Sequence, residues 1–194
     1  MAEHVKDRHG PSYLRSCGNR IYFELLATAQ NATEAHFLVL KMDAWDEVWG
    51  VPRDGGFQGW LAGRVICLEK DPEVYERALA RGIPVMYGDM RNNPFRDNTF
   101  DLVIDFCTIN HGSGCEDAIS EHHRVLRQGR TLLLAHWRVE EPSAYDHGHM
   151  FYSGADIESC IQPLFETYSL EALYHEVGTG MTLQLIQARK GIEK

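Results

Sequence analysis

From Val65 to Trp137 the chain reads VICLEKDPEVYERALARGIPVMYGDMRNNPFRDNTFDLVIDFCTINHGSGCEDAISEHHRVLRQGRTLLLAHW. Arg64–Glu69 and Asp101–Cys107 are short runs rich in Val, Ile and Leu, the composition of buried strands. Between them Pro72–Arg81 carries proline at a plausible first helical position, an acid in its first turn and Gly82 just past its end, which predicts a helix. Ile83–Tyr87 reads as a short strand, Cys115–Arg127 as a helix stopped by Gly129, and Thr131–Trp137 as another buried strand. Strands alternating with helices predict an α/β doubly wound sheet, mostly parallel, with helices on both faces. In such a sheet ligands sit at the carboxyl ends of the strands, beside the point where the strand order reverses.

The same alternation extends outward. His36–Met42 is a further apolar run, and Arg20–Ala29 places Ile21, Phe23, Leu25, Leu26 and Ala29 at helical spacing, with Asn19 or Ser16 able to cap it. Residues 1–12 are polar, end in Gly10-Pro11 and read as a loose arm. On the carboxyl side Leu164–Tyr174 and Met181–Arg189 are strand candidates, the last with the alternation of an edge hairpin. Residues 138–154 form the one long irregular stretch, expected to be a loop that covers a site. With no repeat and no visible boundary, residues 1–194 read as a single domain.

Composition narrows the function. Nineteen Lys and Arg stand against 28 Asp and Glu, a net charge of -9, which argues against general nucleic-acid binding. No apolar run approaches the roughly 18 residues of a spanning helix and the start lacks a signal-peptide centre, so a soluble cytoplasmic protein without a membrane partner is expected. The cysteines at 17, 67, 107, 115 and 160 are scattered and are expected to be reduced. The loops hold no phosphate-cradling G-x-x-x-x-G-K-S/T and no G-x-S-x-G elbow.

The segments Asn93-Pro94-Phe95-Arg96-Asp97-Asn98-Thr99-Phe100-Asp101-Leu102-Val103 and Arg124-Val125-Leu126-Arg127-Gln128-Gly129-Arg130, in this order with Glu69 and Gly88-Asp89-Met90 before them, resemble class I S-adenosylmethionine-dependent methyltransferases of the small-molecule type. The resemblance covers about 75 contiguous residues. It implies a Rossmann-like sheet of about seven strands, the last antiparallel, and S-adenosylmethionine as cofactor. Glu69 is the implied ribose acid, since a carboxylate at the tip of the second strand has two oxygens for two hydroxyls. Lys70 is implied near the adenine face, Gly88 and Asp89 at the adenine amine, and Met90 against the ring. Asp105 and Phe106, closing the fourth strand, are implied at the methionine end.

The chain departs from that pattern after the first strand. The family's glycine-rich loop gives close backbone approach to the cofactor; here Lys41-Met42-Asp43-Ala44-Trp45-Asp46-Glu47-Val48-Trp49-Gly50 stands in its place, and Gly55, Gly56 and Gly59 come later. Either the pocket is rebuilt, with Met42 and Asp43 or Asp46 at the methionine end and Gly50 or Gly55 giving close approach, or Trp45 obstructs it and a non-catalytic binding or scaffolding protein remains. Histidines supply the acceptor side: His111 after the fourth strand is the candidate general base, and His136, His149 and Tyr152 are candidate substrate contacts. His147 and His149 with His111 or His136 match no dedicated metal spacing, and no metal is assigned. The expected function is methyl transfer to an oxygen, nitrogen or carbon of a small molecule; a second copy of the chain is admitted as a partner.

Overall fold

The computed structural model describes residues 19–49, 59, 61–140, 143–145, 149–176 and 180–192. The 1–12 arm, Gly50, Gly55, Gly56 and His147 lie outside the described residues. Helix α1 (Asn19–Asn31) leads into strand β1 (Leu38–Met42), the single-turn helix α2 (Trp45–Val48), β2 (Arg64–Glu69), α3 (Pro72–Ala80) and β3 (Val85–Tyr87). Then come β4 (Phe100–Phe106), a 3-10 turn (Thr108–Asn110), α4 (Cys115–Val125), β5 (Leu126–Val139), β6 (Ser143–Tyr145), β7 (His149–Ser153), α5 (Gly154–Ile161), β8 (Thr167–His175) and β9 (Thr182–Arg189).

The sheet runs β3-β2-β1-β4-β5 with all neighbours parallel. Strand β9 then pairs antiparallel with β5 and with β8. The period of two along a strand sends neighbouring residues to opposite faces. Val39, Leu102, Ile104, Leu133 and Leu185 therefore join Ile21, Leu25 and Leu26 of α1 in one core. Leu40, Val103, Leu132, Leu134 and Ile186 join Ile119 of α4 and Ile157 and Ile161 of α5 in the other. Both faces being covered, all seven residues of β4 are buried, which is why the central strands read as continuous apolar runs and not as alternation.

Four expectations need correction. The sheet has nine strands among the described residues, two more than the expected seven, because residues 138–154 are not wholly irregular. Strand β7 lies parallel to the end of β5, Arg138 opposite Tyr152, and pairs antiparallel with β6. Strand β9 is interior and β8 forms the edge; burial of Leu183, Leu185 and Ile186 between two partners explains the apolar run. Gly129 does not stop α4, which passes straight into β5 at Leu126; instead Lys190 Nζ donates to the carbonyls of His123 and Leu126 at the helix end (both 2.8 Å). Helix α5 was not anticipated, although Ser153 and Asp156 form a reciprocal capping box that the sequence carries.

The order reverses between β1 and β4, so the crevice of this fold opens at their carboxyl ends. Asp43, Glu69, Gly88 and Thr108 follow or close the four strands that surround it.

Candidate functional site

Glu69 ends β2 and is nearly buried at 6% exposure. Its Oε1 accepts from the amide of Asp71 (2.7 Å) and its Oε2 from the amide of Ala44 (2.8 Å). Burial, reinforced by the charge of Asp43, pushes its pKa up to about 7, and the two amides pull the other way. Asp71 in turn caps α3, its Oδ1 accepting from the amides of Glu73 and Val74, so one of the Glu69 contacts is built into the start of a helix.

Beside it, Gly88 donates its amide to the Glu69 carbonyl (3.0 Å). A Cβ at Gly88 would lie 2.9 Å from Leu68 Cδ1 and 3.0 Å from Pro94 Cδ, which explains the glycine sterically. Asp89 is clamped by Arg91: Nε and the amide of Arg91 donate to Oδ1 (2.9 and 3.0 Å), Nη2 donates to Oδ2, and the exposed Lys70 reaches Oδ2 at 3.0 Å. The Arg91 hydrogen bonds hold the Asp89 carboxyl well below the usual carboxylate range. Met90 is half-buried against the α4 side of the core.

The segment that replaces the expected glycines is built on a buried cation. Lys41 is 2% exposed, and its Nζ donates to Asp43 Oδ1 (3.0 Å) and Glu47 Oε2 (3.1 Å). Burial alone would lower the lysine pKa, but Asp43, Glu47 and Asp46 together hold it well above the usual value. Glu47 is pushed up to about 7 by its own burial, against the pull of Lys41. Asp43 takes a left-handed backbone (φ 61°), which aspartate tolerates better than most residues. Its Oδ1 also accepts from the amide of Trp45 (3.0 Å), and its Oδ2 accepts from Thr108 Oγ1 (2.6 Å), a bond that spans the β1/β4 reversal point. The Met42 side chain belongs to the core.

Three more of the expected site residues stand in the interior. Asp105 is wholly buried: Oδ2 bonds His122 Nε2 (2.9 Å) and Oδ1 accepts from the amide of Ile109 (3.1 Å), so it ties the 3-10 turn to α4 and does not face the crevice. Phe106 packs into the α1-side core. His136 is wholly buried within β5, its Nε2 bonded to Gln184 Oε1 (3.1 Å), and burial pushes its pKa down to about 4. A substrate contact from this histidine is therefore replaced by a structural role, because β5 is interior and both of its faces are covered.

His111 follows the 3-10 turn and is exposed, and desolvation by the surrounding chain lowers its pKa against the charges of Asp43 and Asp105. Tyr152 is buried; its hydroxyl donates to the Gly112 carbonyl (2.7 Å), tying β7 to the loop before α4, and burial pushes its pKa up to about 12. His149 starts β7 opposite Tyr145. Gly59 is exposed.

Asn110 escaped the sequence reading. Its Oδ1 accepts from the Trp137 amide (2.9 Å), and its Nδ2 donates to the carbonyls of Trp137 (3.2 Å) and Met150 (2.9 Å). It holds the loop after β4, the end of β5 and β7 together. The only signal was its place beside His111. Among the described residues, no group of three or more His, Cys, Asp or Glu could hold a metal ion.

Residues 50–134 match a family model described as a methyltransferase domain. Two relatives, both named "Probable tRNA methyltransferase 9B", are 42% identical over 69 residues (Mus musculus) and 38% identical over 73 residues (Bos taurus). These alignments cover 34% and 36% of this chain but only 15% and 16% of the relatives. Among solved structures, phosphoethanolamine N-methyltransferase 2 of Haemonchus contortus is similar at a TM-score of 0.70 and 13% identity, covering 90% of this chain and 53% of that one. Geranyl diphosphate methyltransferase in complex with SAM gives 0.65 and 13%, covering 87% and 84%. The cyclase SpnF gives 0.65 and 15%, covering 90% and 81%. The matched stretch contains β2 to the middle of β5, and thus Glu69, Asp89 and Thr108.

Proposed function

We propose that this chain, which matches a methyltransferase-domain model over residues 50–134 and has the fold of solved methyltransferases, transfers a methyl group from S-adenosylmethionine to a small molecule. One observation carries the reading: Glu69 and Asp89 stand at the tips of adjacent parallel strands beside the β1/β4 reversal, with Gly88 keeping the backbone between them bare.

The donor set fits the cofactor unequally at its two ends. At the nucleoside end the Glu69 oxygens suit the ribose hydroxyls and Asp89 suits the adenine amine, with Met90 against the ring and Lys70 at its rim. At the methionine end Asp43 offers a carboxylate to the ammonium, in place of the backbone approach that glycines would give. The cofactor would bring a methyl already activated on a sulfonium, so the chain has chiefly to align a nucleophile and keep water away. His111 would take a proton from a hydroxyl or amine acceptor; its lowered pKa keeps the ring neutral near pH 7, the form a base needs. Asp105, Asn110 and Tyr152 fix the loop that bears it.

The acidic balance supports a small acceptor. The local identity to the two tRNA methyltransferase 9B relatives favours a second reading, an RNA acceptor for the same chemistry. The similarity to the cyclase SpnF is a reminder that this architecture also serves proteins named for other chemistry.

Calorimetric titration with S-adenosylhomocysteine and with adenosine tests the nucleoside site. Both should bind, and Glu69→Gln should weaken both by about tenfold or more, the weight of a charge-assisted hydrogen bond. Absence of heat with either ligand at millimolar concentration overturns the proposal.

A further inference from the structure

We infer that binding of a nucleoside expels a proton from Glu69, because only the ionised carboxylate keeps an open acceptor for each of the two ribose hydroxyls. This rests on the cofactor reading above and deepens it, making the ribose contact depend on pH and on the 2′-hydroxyl.

The lone pairs decide the matter. A carboxylate has about four acceptor sites, shared equally by its oxygens. The Asp71 amide takes one on Oε1 and the Ala44 amide takes one on Oε2, so each oxygen keeps one open. Two neighbouring hydroxyls fill those two. A proton on either oxygen closes one of them, so the neutral acid receives one hydroxyl and not both.

The surroundings keep that proton on the free acid. Glu69 is nearly enclosed at the tip of β2, and among the described residues its bonds are to two neutral amides and to no cation. Lys41, on the neighbouring strand, donates instead to Asp43 and Glu47. Asp43 is held close to the end of β2, its amide donating to the Leu68 carbonyl (2.8 Å), and Asp46 and Glu47 of α2 add two buried acids. On the β3 side the cations Lys70 and Arg91 are bound to Asp89, and a further acid, Asp71, follows on the same turn as Glu69. His111, which feels the charge of Asp43, is neutral near pH 7. Burial and the Asp43 charge therefore outweigh the two amides, and Glu69 titrates at about 7. Hydroxyls donating to the charged form pull the equilibrium the other way, and the proton leaves for solvent.

Calorimetric titration of the full chain with adenosine and with 2′-deoxyadenosine, at about pH 6, 7 and 8 in two buffers of different ionisation enthalpy, counts the protons. Adenosine should release about half a proton at pH 7 and should bind about tenfold more weakly at pH 6 than at pH 8. With one hydroxyl fewer, 2′-deoxyadenosine is received by the neutral acid as well; it should release fewer protons, and its affinity should change by less than about threefold over the same range. Asp43 and His111 meet both nucleosides alike, so the difference between the two isolates the acid that reads the 2′-hydroxyl. Glu69→Gln should abolish that difference. Equal affinity for adenosine at pH 6 and pH 8, or the same proton count for both nucleosides, refutes the proton release and leaves the cofactor reading standing. If adenosine fails to bind at millimolar concentration even at pH 8, where Glu69 is ionised, both fall together.

Discussion

His136 should make this protein acid-sensitive by an amount that can be worked out. The imidazole is wholly enclosed, with Nε2 on Gln184 Oε1, and burial lowers its pKa from 6.5 to about 4. An unfolded chain takes up the proton near pH 6.5, whereas the folded chain resists it until about pH 4. The neutral ring thus contributes stability that is fully present above pH 6.5 and is lost as pH falls through the folded value. At 1.36 kcal/mol per pKa unit the whole effect is about 3 kcal/mol. Glu47 and Glu69 work in the opposite direction: both are raised from 4.5 to about 7, so their contributions are present at low pH and fade as pH rises through that window. The parent's profile mixes these slopes, and the comparison must be with His136→Gln, which keeps an amide donor for Gln184 but does not titrate. Urea denaturation of both proteins at several pH values between about 7.5 and 4.5 gives the difference directly. Between about pH 6 and pH 4.5 the parent should lose about 1.4 kcal/mol per pH unit relative to the variant. Parallel stability curves would refute the argument, since they would mean that the folded imidazole takes up its proton as readily as the unfolded one.

Two other perturbations probe the crevice. Lys41→Met leaves Asp43 and Glu47 without their cation, Glu47 having no exposed side-chain surface, and should cost about 3 kcal/mol or more at neutral pH in urea denaturation. Because Glu47 protonates near pH 7, the loss should shrink at about pH 5, and a pH-independent loss would contradict the ion-pair account. Gly88→Ala puts a Cβ against Leu68 and Pro94 and should lower stability by about 1–3 kcal/mol, with weaker S-adenosylhomocysteine binding because Asp89 is carried along; a variant as stable as the parent would show that the close approach does not matter.

The order of strands and helices was legible because each element carries a local signal. Pro72 and Gly82 bracket α3, and the enclosed strands β1, β2 and β4 announce themselves as apolar runs. The hairpin β6–β7 was not legible: Ser143–Tyr145 and His149–Ser153 are short and lack a clear alternation, and β7 depends on Arg138–Val139 at the end of a strand distant from the turn signals. The acids of the crevice were found by position after strands, a rule that locates a side chain but not its partners. It treated Glu69 and Asp105 alike, yet Glu69 closes its strand at the crevice, while Asp105 lies one residue short of the end of β4. The alternation of faces turns Asp105 toward His122 of α4. His136 misled for the same reason: it has the residue type of a substrate contact, and only the pairing of β5 with both β4 and β9 reveals that it is enclosed.

The residues that follow β1 answer to the same geometry. Lys41 pairs with Ile104 of β4 and Cys67 of β2, so its ammonium begins in the sheet interior and must find anions within reach of a side chain. Asp43 and Glu47 lie two and six residues on, and a tight left-handed turn followed at once by helix brings both within 3.1 Å of one nitrogen. A flexible glycine loop would pay more entropy to hold that arrangement, and it would supply no carboxylates. The sequence Lys-Met-Asp-Ala-Trp-Asp-Glu therefore neutralises a buried lysine. Its consequence for function is that the backbone amide which meets Glu69 comes from alanine in a fixed turn.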